Sequence, residues 1–250
     1  MEFFEIIILA IIQGITEWLP ISSSGHLVLA QQFFKLDPPI FFDALLHIAT
    51  LVSLFIVFQT DILQVTKAFV TGKWKTEYGK LGLYIILATI PTGMIGLLFK
   101  DWLETTFSSM VLLGWGFIIT GILIYFTKYA KPKRELKASD ALLIGVAQGI
   151  SIIPSVSRSG ATIATGLFLG VKKEILTTFS FLISIPAILG ATKIEYQPGV
   201  FTFQIFIGMI LAAVLGYISL KILIKIVLSN KFFYFSYYCI AIGILILFLM

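Results

Sequence analysis

Residues 148–160 read Gln-Gly-Ile-Ser-Ile-Ile-Pro-Ser-Val-Ser-Arg-Ser-Gly, and residues 13–25 read Gln-Gly-Ile-Thr-Glu-Trp-Leu-Pro-Ile-Ser-Ser-Ser-Gly. Aligned without a gap at an offset of 135, they agree at Gln, Gly, Ile, Ser, Ser and Gly, with Thr/Ser and Ile/Val as near matches. Such self-similarity marks a chain built from two related halves. Each copy is a polar interruption, broken by proline, inside a long apolar run. With the residue that follows the first copy, the two interruptions hold Glu17, His26 and Arg158. Function is expected where they meet.

The surrounding composition fixes the environment. Of 250 residues 58% are hydrophobic and 12% charged, with a mean hydropathy of +1.02, whereas a soluble domain carries about 25% charged residues. The chain therefore reads as an all-α polytopic membrane protein in a single membrane domain, and no nucleic-acid partner is expected. Its start, Met1-Glu2-Phe3-Phe4-Glu5, lacks the basic leader of a cleaved signal peptide, so the first segment is expected to remain. Cys239, the one cysteine, lies in the last apolar run and is expected to act as a small hydrophobe.

The first apolar run, residues 3–33, is too long for one span and is broken near its middle by Pro20, three serines and Gly25. Each arm of about 14 residues gives ~21 Å of helix against a hydrocarbon core of ~30 Å. Two half-length helices that dip in and return fit best, and such a re-entrant hairpin must face protein or water. Spans are expected at 40–58, 81–99 and 109–127. The broken pattern recurs at 139–170 around Pro154 and Gly160, followed by spans at 174–193, 203–222 and 233–250. Repeat one covers about 1–130 and repeat two about 138–250, each a hairpin plus three transmembrane helices. Three crossings per half invert the second half relative to the first.

The charges test that topology. Lys67, Lys73, Lys75, Lys80, Lys128, Lys131, Lys133, Arg134, Lys137, Lys172, Lys173, Lys221, Lys225 and Lys231 fall on one face, and Lys35, Lys100 and Lys193 on the other, a split of 14 to 3. If each broken run were one full span, the split would be 10 to 7. The excess of base on cytoplasmic loops favours the hairpins, with both termini outside. The aromatic cluster Phe232-Phe233-Tyr234-Phe235 after Lys231 reads as an interfacial belt, and Pro91 and Pro186 are expected to kink their helices.

Arg158 is the most informative side chain, because an arginine near the bilayer centre costs at least ~2.5–3.5 kcal/mol and marks function more often than structure. It stands in Ser157-Arg158-Ser159-Gly160 at a half-helix start, where free N–H groups and the positive dipole end favour an anion. Ser22-Ser23-Ser24-Gly25-His26 occupies the corresponding place in the first hairpin, so a phosphate group is the natural guest. Gln13 and Glu17 lie one helical turn apart, and a carboxylate with an amide oxygen can hold a hard cation. His26 follows Ser23 by three residues, a spacing suited to proton exchange with its hydroxyl. His47 has only a packing or supporting role, and Asp43 and Glu174 read as helix-capping acids.

At these residues the sequence closely resembles the bacterial undecaprenyl-diphosphate phosphatase family associated with bacitracin resistance. The resemblance covers nearly the whole chain, through Gln13-Gly14-Ile15-Thr16-Glu17, Pro20-Ile21-Ser22-Ser23-Ser24-Gly25-His26, the Ser-Arg-Ser segment and Phe179-Ser180-Phe181-Leu182. The family's acid-or-Gln motif with Glu four residues on falls on Gln13 and Glu17. Its Pro-Gly-x-Ser-Arg-Ser-x-x-Thr motif falls on Pro154, Ser157, Arg158, Ser159 and Thr162, with Ser155 in the usual place of glycine. The resemblance implies removal of the terminal phosphate of undecaprenyl diphosphate at the outer face of the bacterial plasma membrane, recycling the lipid carrier.

In that reading Ser23 attacks phosphorus and His26 moves the proton. Glu17, with Gln13, holds Mg²⁺ or Ca²⁺, and Arg158 with Ser22, Ser24, Ser157, Ser159 and Thr162 binds phosphate. A metal-bound water as nucleophile is the rival mechanism. The partners are the polyprenyl diphosphate, membrane lipids and, indirectly, bacitracin, which competes for the lipid; a homodimer is compatible with the sequence. Because inverted repeats with broken helices also build transporters, a polyprenyl-phosphate carrier is the alternative function.

Overall fold

The computed structural model describes residues 2–99, 102 and 109–249; Lys100, one of the expected outer-face lysines, falls outside them, as do Met1 and Met250. Among the described residues the regular structure is helical, apart from an isolated bridge between Arg134 and Val171. The helices are α1 (Phe3–Thr16), α2 (Ser23–Phe34), α3 (Ile40–Val57), α4 (Gln59–Val70), α5 (Glu77–Leu98) and α6 (Met110–Phe126). After residue 130 come α7 (Ala138–Ile150), α8 (Arg158–Phe168), α9 (Lys173–Leu182), α10 (Ser184–Ile194), α11 (Phe203–Leu228) and α12 (Phe235–Phe248).

Five runs among the described residues are long and apolar enough to cross a membrane. They are α3, α5, Met110–Tyr129, Lys173–Ile194 and α11. The protein is thus a multi-pass membrane protein. The sixth expected span, 233–250, is shorter: it comprises Phe232–Phe248, whose first turn is a 3₁₀ segment, Phe232–Tyr234. Asn230 at φ 61° ends α11 and turns the chain just before it.

The two broken runs form paired short helices, as the interrupted pattern predicts. Helices α1 and α2 have 14 and 12 residues, and α7 and α8 have 13 and 11. None reaches the roughly 20 residues a span requires. Both turns use the same cap. Ser22 Oγ accepts from the Gly25 N–H at 3.2 Å, and Ser157 Oγ accepts from the Gly160 N–H at 3.1 Å. In each, the capping hydroxyl lies 3.3 Å from the hydroxyl two residues on, Ser24 or Ser159. These side-chain acceptors satisfy N–H groups that a helix start leaves free.

The halves interlock. Helix α1 packs along α11 of the second half, and α7 packs along α5 of the first. Both crossings need glycine, because a Cβ at Gly14 would meet the Ala212 carbonyl oxygen at 2.8 Å and one at Gly145 would meet the Ala88 carbonyl oxygen at 2.3 Å. Small residues let membrane helices approach in this way. Helix α12 lies along α6, and α3 packs on α11 and α10.

One expectation needs correction. The loop expected at 59–80 begins with a helix, α4, whose Val65 and Phe69 reach toward Gly82 of α5. Only a narrow stripe of α4 is covered, and its charges masked that stripe. The span expected at 174–193 is present as Lys173–Ile194, with the kink expected from Pro186 falling at Ile183 between α9 and α10. Pro186 has no N–H to give the Leu182 carbonyl, and such a loss breaks or kinks a helix. Pro91, in contrast, stays within continuous α5.

Candidate active site

The tip of α1 and the turn to α2 carry the acid. Glu17 caps the C-terminus of α1, its N–H bonded to the Gln13 carbonyl at 2.9 Å, and its side chain is 1% exposed. A buried carboxylate requires partners. Gln13 Nε2 donates to Glu17 Oε2 at 2.9 Å, and Ser23 Oγ donates to the same oxygen at 2.7 Å. The other oxygen, Oε1, receives the guanidinium of Arg158, from the first residue of α8. The two sequence interruptions therefore share one ion pair.

Further contacts hold the tips together. The Arg158 guanidinium lies over the Trp18 ring at 5.5 Å, and Ser159 Oγ donates to the Leu19 carbonyl at 3.2 Å. Trp18 is fully buried, its Nε1 donating to Ser53 Oγ on α3 at 2.9 Å and its ring meeting Phe181 edge-on at 5.6 Å. Thr120 of α6 fixes the second tip: its hydroxyl donates to the Ser155 carbonyl at 3.1 Å and accepts from the Ser157 N–H at 3.0 Å. Ser155 itself adopts φ 65°, and its buried hydroxyl has no partner.

Several expected site residues are placed differently. His26 Nδ1 lies 2.7 Å from the Ser22 carbonyl, which can only accept, so Nδ1 carries a proton. Its Nε2 accepts from the Tyr238 hydroxyl at 2.6 Å, and the ring stacks on Tyr238 and meets Phe117 edge-on. Both nitrogens are thus engaged elsewhere, and the Ser23 proton points to Glu17 instead. Thr162 turns its hydroxyl back to the Arg158 carbonyl at 2.9 Å, so it supports α8 and does not face the ion pair. Ser22 and Ser157 are the caps, with Ser24 and Ser159 beside them.

His47 was assigned only a packing or supporting role, and its Nε2 lies 3.3 Å from Glu17 Oε2. Its Nδ1 meets the Asp43 carbonyl at 2.8 Å. The Asp43 carboxylate, expected to cap α3, accepts from Gln31 Nε2 with both oxygens at 3.1 and 2.9 Å and so ties α2 to α3. Asp43, His47, Thr50 and Ser53 recur every three or four residues, a polar stripe in an apolar helix. That stripe was the available signal. Thr120 and Tyr238 carried none, because each matters only through partners far along the chain.

Among the described residues no three His, Cys, Asp or Glu side chains cluster as metal ligands. The centre instead offers Glu17, His47 and the amide of Gln13, whose fully buried Oε1 has no hydrogen-bond partner. That orphaned oxygen beside a carboxylate fits a bound cation.

A multi-pass helical protein with two polar hairpin tips, meeting at an Arg–Glu pair beside a serine hydroxyl, defines a polar site among its helices suited to a phosphorylated lipid. The comparisons agree with that class. Residues 6–245 match the family model described as bacitracin resistance protein BacA, and the chain belongs to that family. Among its relatives, the protein of Alkaliphilus metalliredigens is 43% identical over 99% of this chain and 98% of its own length. That of Korarchaeum cryptofilum is 39% identical over 99% of both chains, and that of Treponema denticola 43% over 98% of this chain and 96% of its own. All three bear the name undecaprenyl-diphosphatase.

Proposed function

We propose that this protein hydrolyses undecaprenyl diphosphate to undecaprenyl phosphate and inorganic phosphate. The observation that carries the reading is the convergence of Ser23 and Arg158, from different hairpins, on one carboxylate, Glu17. The relatives' shared name supports the same substrate and reaction. A carrier needs charge neutralisation but has no use for a serine hydroxyl held against a buried carboxylate, so the carrier reading is set aside.

The geometry suits an exchange of partners. An arriving diphosphate draws the Arg158 guanidinium from Glu17 and balances its negative charge there, which is how phosphoryl transfer is chiefly assisted. Ser23 Oγ attacks the terminal phosphorus while its proton passes to Glu17 Oε2, 2.7 Å away. The P–O bond to the bridging oxygen breaks, and undecaprenyl phosphate leaves. Water attacks the phosphoserine phosphorus, the Oγ–P bond breaks as the proton on Glu17 returns to Ser23 Oγ, and phosphate departs carrying both protons of the water. His26, held by Ser22 and Tyr238, positions the start of α2. A Mg²⁺ or Ca²⁺ ion, held by Glu17 and the free Oε1 of Gln13, would neutralise charge on the diphosphate.

The two halves are inverted repeats in this reading, supported by the reciprocal packing of α1 on α11 and α7 on α5 and by the matching Ser22 and Ser157 caps. The charge split supports both termini outside, and the family resemblance supports a site toward the outer face, where bacitracin would bear on it by competing for the lipid. The test is phosphate release from undecaprenyl diphosphate by purified protein in detergent, with and without a divalent cation. Ser23→Ala should lower kcat at least ~10³-fold, equivalent to about 4 kcal/mol of barrier. A Ser23→Ala enzyme retaining most of its activity would make water the nucleophile.

A further inference from the structure

At the centre of the site His47 Nε2 and Glu17 Oε2 face each other at 3.3 Å, and the Gln13 amide that bonds Glu17 keeps a buried Oε1 without a donor. His47 gives its Nδ1 proton to the Asp43 carbonyl at 2.8 Å, a group that can only accept, so a neutral ring presents a lone pair at Nε2. That lone pair faces Glu17 Oε2 at 3.3 Å, oxygen against nitrogen. Gln13 donates to the same oxygen through Nε2 and leaves its own Oε1 fully buried and unpaired. A proton on His47 would answer for the first mismatch and leave the second. One cation answers for both.

We propose that His47 is a ligand of the divalent cation in this site, its Nε2 joining the Glu17 carboxylate and the Gln13 amide oxygen. The proposal rests on the metal-assisted reading of the phosphatase above. Two features of His47 support it. A metal-bound imidazole almost always donates its other ring N–H to a carbonyl or carboxylate, which fixes the tautomer and aims the free nitrogen; the Asp43 carbonyl does this here. Two ligands at right angles, each about 2.1–2.4 Å from a cation, lie about 3.0–3.4 Å apart, and the Nε2 to Oε2 separation is 3.3 Å.

The support extends one layer further out. Both oxygens of the Asp43 carboxylate accept from Gln31 Nε2, so α2, which carries Ser23, is anchored to the turn of α3 that aims His47. The His47 side chain is 26% exposed while that of Glu17 is 1% exposed, so the histidine stands on the open side of the pair. A nitrogen donor also changes the preferred ion. All-oxygen sites suit Ca²⁺ and Mg²⁺, whereas an imidazole nitrogen raises the affinity for first-row transition metals over these two. The site should therefore hold Mn²⁺ more tightly than Ca²⁺.

The experiment is pulsed electron paramagnetic resonance of Mn²⁺ added to the purified full-length protein, reading the ¹⁴N coupling of a directly bound imidazole. Wild type should show that coupling. His47→Gln should lose it and weaken Mn²⁺ binding at least about tenfold, and His26→Gln should keep it. A wild type that binds Mn²⁺ through Glu17, as judged by its loss in Glu17→Gln, but shows no ¹⁴N coupling would overturn the assignment. So would a coupling that survives in His47→Gln. If His47→Gln fails to fold, a coupling retained in His26→Gln still assigns the nitrogen to His47, the other histidine of the chain. Phosphate release measured on the same preparation separates the two claims: cation-dependent release without ¹⁴N coupling removes His47 and leaves the phosphatase. Absence of Mn²⁺ binding together with no phosphate release, with or without a cation, removes both.

Discussion

Ser155 is a residue whose backbone and side chain are both uncomfortable. It adopts φ 65°, a left-handed conformation that disfavours residues with a Cβ by roughly 1–2 kcal/mol, and its hydroxyl is fully buried without a partner. Its carbonyl is nevertheless well used, accepting from Thr120 at 3.1 Å. Glycine would keep that carbonyl and remove both penalties. Ser155→Gly should stabilise the protein by about 1 kcal/mol, read as a higher unfolding midpoint in detergent, with activity unchanged or raised. A lower midpoint would show that the Ser155 side chain contributes packing beside Gly25, where an added Cβ would come within 2.8 Å of Ser155 Oγ.

The tip of the second hairpin depends on an element outside it. Helix α6 supplies Thr120, whose single hydroxyl serves both the Ser155 carbonyl and the Ser157 N–H. The backbone of α6 also comes close at Gly116, where a Cβ would meet the Pro154 carbonyl oxygen at 2.1 Å. Thr120→Val conserves volume but leaves the buried Ser157 N–H without an acceptor, which should cost about 2 kcal/mol. Because Arg158 follows Ser157 directly, kcat/KM for the lipid diphosphate should fall with stability. Thermal unfolding and steady-state kinetics on the same variant check this; unchanged values in both would remove Thr120 from the site's support.

At this element scale the hairpins were legible because proline, glycine and serine interrupt apolar runs that would otherwise be helical throughout. Glu17, Ser23 and Arg158 were legible for a related reason, since polar groups at such depth need one another. The direction of His26 was not. Its ring is set by the Ser22 carbonyl and by Tyr238, 212 residues away, and neither partner follows from the i, i+3 spacing that suggested Ser23. Helix α4 stayed hidden because only a thin stripe of it is covered. Gln148 shows where the repeat diverges: it matches Gln13 in sequence, yet it donates to Thr92 Oγ1 and the Ile183 carbonyl at 3.2 Å each. Position 152 is isoleucine where the first half has Glu17, so the second tip contributes the cation of the pair and no acid.

Across the whole molecule, the connection between halves is pinned by an ion pair at the start of α7. Arg134 grips Asp140 with two N–H groups at 2.6 and 2.8 Å, and the Lys137 N–H adds a third bond at 2.9 Å. The Arg134 hydrogen bonds are the main reason the Asp140 carboxyl lies below the usual carboxylate range. A carboxylate with a lowered folded-state pKa contributes stability above its unfolded value of about 3.9, and that stability is lost as pH falls through the folded value. Asp140→Asn should therefore lower the unfolding midpoint at neutral pH and flatten its decline below about pH 4. An acid limb as steep as wild type would place the acid sensitivity elsewhere.

The central claim is that the two hairpins make one phosphatase site through Glu17. Its most direct test is phosphate release from undecaprenyl diphosphate by wild type, Ser23→Ala, Arg158→Ala and the double variant. Residues that act as one catalytic unit are strongly non-additive. The account predicts large losses in both single variants and a double variant no slower than the slower single. Losses that multiply in the double variant, or an Arg158→Ala protein with wild-type turnover, would contradict it.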